Sequence, residues 1–158
     1  MEIEDIKKKY GVLKKKYNLP SFDEVDSDFG IGKIENFSGD ILKEIRGAMM
    51  EKVVHYVRLM EMMISPSQNS PVFMVFLREI NEENKSIMNK VLKSFVGLEL
   101  SAFRLDIDSK QTKEAEQINK IFTAWNNSKK DLNKLIDMME SNWNGVQKEN
   151  KSYRGYFG

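Results

Sequence analysis

AEQINKIFTAWNNSKKDLNKLIDMMESNW, residues 115–143, carries the pattern that decides the fold. Ala115, Ile118, Phe122, Trp125, Leu132, Ile136, Met139 and Trp143 step alternately by three and four residues, with Lys129 in the one polar slot. That spacing puts an apolar stripe along one side of a helix and asks for a second helix to cover it. The phase holds across Asn126-Asn127-Ser128, so the spacing predicts one continuous helix over 110–144.

The same period recurs upstream. Ile3, Ile6, Tyr10, Leu13 and Tyr17 predict a helix over 2–17, stopped before Pro20 because the residue preceding proline is driven out of the α region. Ser21 with Glu24 reads as a capping box for a short helix over 22–28. Ser38 or Asp40 caps a helix reaching Ile64, whose wide apolar face includes Ile41, Ile45, Met49, Val53 and Met60. SPSQNSP at 65–71 is a loop by composition, with Ser70 as a cap and Pro71 opening a short buried helix, VFMVFL. Asn81 starts another helix, to about Leu105, with Ile87, Val91, Phe95, Leu98, Ala102 and Leu105 as its core row. Residues 106–110 then form a connector with Ser109 as a cap.

These elements predict an all-α, single-domain bundle of about five helices over 1–144, with long and mostly antiparallel neighbours. The helices 40–64 and 81–105 form its central pair. From Gly145 the chain reads as a polar tail, 145–158, with an aromatic end. Composition agrees with a folded helical protein: 41% hydrophobic, 31% charged, three prolines and nine glycines in 158 residues. The formal net charge of +1 gives no global field toward nucleic acid or anionic membrane. The absence of cysteine removes disulfides, thiolate metal ligands and cysteine nucleophiles. The opening MEIEDIKKKYGVLKKKY lacks the apolar stretch of a secretory signal, and no apolar run approaches a membrane span. A cytoplasmic setting is the expectation.

No motif carries chemistry. The sole histidine, His55, follows Glu51 by four residues and reads as a surface or boundary residue rather than a ligand. Asp106-Ile-Asp108 resembles the start of a calcium loop, but Gln111 and Gln117 stand where glycine and glutamate are needed. Gly30-Ile-Gly32-Lys33 lacks the spacing of a phosphate-binding loop. The acids Asp23, Glu24, Asp26 and Asp28 read as a solvated helix start. Glu61, Glu79 and Glu99 have no spacing that pairs them for acid–base work. No catalytic residue, metal or cofactor is assigned.

Two segments suggest contacts. Tyr153, Arg154, Tyr156 and Phe157 are residue types enriched in interface hot spots, and they follow a polar spacer as a docking motif would. Lys7, Lys8, Lys9, Lys14, Lys15 and Lys16 form two triplets seven residues apart, which could meet phosphates. The leading expectation is a non-enzymatic interaction module, an adaptor or subunit of a cytoplasmic complex. It would meet another protein chain through the tail, and the 2–17 helix offers a seam for a homodimer. The alternatives are a nucleic-acid- or ribosome-associated protein using the six lysines, and an enzyme with a carboxylate site inside the bundle.

Overall fold

A computed structural model describes the backbone of residues 3–34, 39–64, 71–78 and 80–154, and their side chains except those of 71–73 and 147–154. The described residues form six α-helices and one 3-10 turn, and they contain no strand. The helices are α1 (Ile3–Tyr17), α2 (Phe22–Phe29), α3 (Ile41–Ile64), α4 (Pro71–Phe76), α5 (Glu82–Ile107) and α6 (Gln111–Arg154). The turn, Ile31–Lys33, lies between α2 and α3. The protein is all-α, as the periodicity predicts.

Local chemistry sets the helix ends. Asn18 adopts a left-handed φ of 51° after α1, and the Leu19 amide donates to the Lys14 carbonyl. That six-to-one bond is a Schellman stop, with buried Leu19 as its apolar partner. At α2 the capping box forms as expected: the Glu24 amide donates to Ser21 Oγ, and the Ser21 amide to Glu24 Oε2. Gly30 closes α2 at φ 66°, where a Cβ is strained. Asp40 is the cap of α3, its Oδ1 accepting from the amides of Leu42 and Lys43. The other cap considered there, Ser38, lies outside the described residues, as does Ser70. Asn81 Oδ1 accepts from the Asn84 amide at the start of α5.

Four expectations need correction. Ser109 does not cap α6; its hydroxyl donates to Glu114 Oε1 at 2.8 Å. The short helix α4 is not buried at Met74, which is 53% exposed. Helix α6 does not stop at 144 but runs through Gly145 to Arg154. A lone glycine disfavours helix by only about 1 kcal/mol, and Gln147, Lys148 and Glu149 after it are good helix formers. The fourth correction concerns the seam of α6. Its buried row is Glu114, Ile118, Ile121, Trp125, Ser128, Leu132, Leu135 and Asn142, whereas Phe122, Ile136 and Met139 are half-buried and Trp143 is more than a third exposed. Ala115, Ile118, Trp125 and Leu132 are buried as the spacing predicts, while the other half of the seam lies one residue earlier than predicted, at Glu114, Ile121, Ser128, Leu135 and Asn142, and polar residues recur along it.

The chain gathers into two compact units, and the divisions between them fall inside long helices, where no linker composition marks them. The first holds residues 1–56 and 94–127. Its core contains Tyr10, Val25, Leu42, Ile45, Met49, Val53, Phe95, Ile118 and Ile121, all at most 1% exposed. Burial of each large apolar side chain contributes roughly 1.5–3 kcal/mol. Here α3 and α5 lie side by side, joined by the Arg46–Asp106 bond, and both line one groove. The second unit holds 57–93 and 128–158. Val57, Met60, Met63, Met88, Val91, Leu132 and Leu135 are among its buried side chains, and Lys90–Asp131 and Lys134–Glu83 tie α5 to α6 at 2.8 and 3.2 Å.

Candidate partner-binding surface

Most residues singled out for chemistry turn out to hold the fold. Asp23 pairs with Lys7 at 3.0 Å, and Glu24 serves the capping box. Bonding to Ser21 holds the Glu24 carboxyl below its usual range. Asp26 Oδ1 accepts from the Gly32 amide at 2.6 Å, and a Cβ at Gly32 would lie 3.0 Å from that same oxygen. The Asp28 carbonyl accepts from Lys52 Nζ. His55 is exposed, its ring edge-on to Tyr56 at 5.9 Å. Among the described residues no three histidine or carboxylate side chains are grouped to hold a metal ion.

The six lysines of α1 are exposed, but of the tyrosines beside them Tyr10 is buried and Tyr17 half-buried, which leaves no open base-stacking platform. Tyr10 is buried, packs edge-on to Phe22 at 5.7 Å, and donates its hydroxyl to the Pro20 carbonyl at 3.0 Å. Tyr17 donates to Gln111 Oε1 at 2.9 Å, with Lys16 lying over its ring. Of the tail, the backbone of Tyr153 and Arg154 belongs to α6. Their side chains, and all of Tyr156 and Phe157, lie outside the described residues.

Two clusters built around buried side chains, Glu114 and Trp125, went unread in the sequence. In the first, Arg46 Nε donates to Glu114 Oε2 at 2.5 Å and Nη2 to Asp106 Oδ1 at 2.7 Å. Glu114 is fully buried and Arg46 nearly so. Burial opposes the guanidinium charge, but the bonds to Asp106 and Glu114 outweigh it and raise the Arg46 pKa. Sixty-eight residues separate Arg46 from Glu114, and no local signal links them. In the second, Phe29, Tyr56 and Phe95 surround Trp125 at ring separations of 5.5, 5.3 and 6.2 Å, with the Lys52 ammonium 4.7 Å from the Trp125 ring centre. These contacts read as structural, and the first cluster opens toward solvent at Asp106, whose side chain is 56% exposed.

Among the described residues of the first unit the exposed large apolar side chains are Ile3 and Val12 on α1 and a row of three on α5. Leu100, Phe103 and Ile107 are 59%, 55% and 88% exposed, and Val96, one turn earlier, is half-buried. The steps of four, three and four make a second heptad row beside the core row of the same helix. This row was legible in the sequence and passed over, because the core row accounts for helix formation alone. Beside it runs an open groove of about 510 Å³ between α3 and α5. Gly47, Met50 and Val54 line one wall, and Ala102 and Phe103 the other. In the second unit, Leu59, Phe76, Ile136, Met139 and Trp143 line a smaller hollow of about 290 Å³.

No described helix is long and apolar enough to cross a membrane. Comparison with family models, with curated proteins and with solved structures gives no match.

Proposed function

We propose that this protein is a non-enzymatic helical interaction module, an adaptor or subunit of a cytoplasmic complex, that meets another protein chain through the outer row of α5. One observation carries the reading: Leu100, Phe103 and Ile107 keep heptad spacing while facing solvent. A heptad row is the seam of a helix–helix contact, and exposed apolar side chains in register mark a surface awaiting a partner. Tyr153, Arg154, Tyr156 and Phe157 are retained as a second contact, independent of the first.

Site-specific photo-crosslinking in the native host tests this. A photoreactive phenylalanine analogue at position 103 is expected to give a discrete adduct, and one at the exposed control position Lys8 is not. Failure to trap a partner from positions 96, 100, 103 and 107 alike would remove the α5 part of the proposal. A chain ending at residue 152 separates the two contacts: unchanged trapping assigns the partner to α5, and lost trapping assigns it to the tail.

A further inference from the structure

We infer that the groove between α3 and α5 takes a short amphipathic helix from a partner protein, one with lysine or arginine along its flank. This rests on the interaction-module reading and names the chemistry of the partner. Four observations converge on it.

The first is shape. Phe103 belongs to both the groove and the outer row, and that row, from Val96 to Ile107, covers eleven helical steps, roughly 16 Å or three turns, the span of one short helix seated in the groove and reaching over Phe103. Second is the pattern, since an exposed heptad row is met by apolar side chains repeating at three and four residues, the mode of helix-in-groove recognition. The third is Gly47. It stands exposed in the interior of α3, where glycine is a poor helix former, and a Cβ placed there would find nothing within 4 Å. Its place is on the groove wall, where a missing side chain lets another backbone come close.

Charge is the fourth and selects the occupant. Four carboxylates line the groove, Asp40, Glu44, Glu99 and Asp106, against two cations, Lys43 and Arg46. Arg46 is engaged by Asp106 and by buried Glu114, a trio that carries one net negative charge, which leaves Asp40, Glu44 and Glu99 against Lys43. The surface is therefore acidic around an apolar strip, and complementarity calls for a basic flank on the incoming helix. A second copy of this chain fits worse, because an isologous contact would set the same acidic surface against itself. Nucleic acid is disfavoured by the same sign.

The test uses the full chain and two fluorescent peptides of about 18 residues, long enough to cover the row. Each has leucine at heptad positions; one carries lysine on its flanks and the other glutamate. Anisotropy titration is expected to show the lysine peptide binding, with the glutamate peptide at least about tenfold weaker. Gly47→Leu fills the groove and should weaken the lysine peptide by about tenfold or more while leaving the thermal midpoint unchanged or higher. Glu99→Lys should narrow the gap between the peptides. Equal binding of the two peptides, or undiminished binding by Gly47→Leu, overturns the inference. So does a dimer in sedimentation that Gly47→Leu dissolves, which would make the second copy the occupant. A crosslinked partner at position 103 combined with no peptide preference keeps the interaction module and discards the basic helix.

Discussion

Arg46 and Glu114 show how much one pair can hold. Removing one member of a buried ion pair leaves the other charged and unsolvated, which costs about 3–5 kcal/mol. Arg46→Met strands the fully buried Glu114 with only the Ser109 hydroxyl and should therefore destabilise the protein by about that amount in urea unfolding, and Arg46→Met with Glu114→Leu together by less. A cost for Arg46→Met below about 1 kcal/mol would refute the buried pair. Tyr10 makes a prediction with a sign. Burial, then the nearby charge of Glu24, raises its pKa above the ordinary value. A group raised in the folded state gives its full contribution below its unfolded pKa, about 10 for tyrosine, and loses it as pH climbs past that point. Tyr10→Phe should cost about 1 kcal/mol at neutral pH through the lost bond to Pro20, and should flatten the fall in stability between pH 9 and 11.5. Parallel pH profiles for the two proteins would refute the assignment.

At the scale of elements, helix starts were more legible than helix ends. Ser21 with Glu24 is a two-residue signal, read correctly because each side chain caps the other's backbone within four positions. Gly145 was read as a stop because it opens a polar stretch, yet nothing after it breaks a helix before Arg154. The two glycines Gly30 and Gly145 should answer alanine oppositely. Gly30→Ala forces a side chain into a left-handed φ of 66° and should cost about 1 kcal/mol. Gly145→Ala meets nothing within 4 Å and should raise helix stability by about 1 kcal/mol. Circular dichroism melts of the pair check both, and equal signs would mean that one of the backbones is misassigned.

On the scale of the molecule, the outer row of α5 separates stability from function. Side chains that face water on folding contribute little to the folded state, so Leu100→Ser with Phe103→Ser and Ile107→Ser should shift unfolding free energy by under about 1 kcal/mol. With the photoreactive analogue moved to position 96, the same triple variant should lose the crosslinked partner. A loss of several kcal/mol would show that the row is covered within the chain itself, and the interaction surface would then have to be sought in the tail.

Sequence alone determined the all-α class, the capping box at Ser21, the continuity of α6 past Asn126-Asn127-Ser128, and the exposed setting of His55. Each follows from spacing within a few residues, where helical geometry makes neighbours in sequence neighbours in space. It read half of the buried side of α6, Ala115, Ile118, Trp125 and Leu132, and missed the other half. Glu114, Ser128 and Asn142 stand in the buried row two heptads apart, and their polarity disguised it as a solvent face. Only tertiary structure supplies the Arg46 that makes a buried Glu114 tolerable, and the Phe76 carbonyl that accepts from Asn142 at 2.8 Å. A polar side chain is buried when a partner waits for it, and those partners lie 68 and 66 residues away along the chain, beyond the reach of any local pattern.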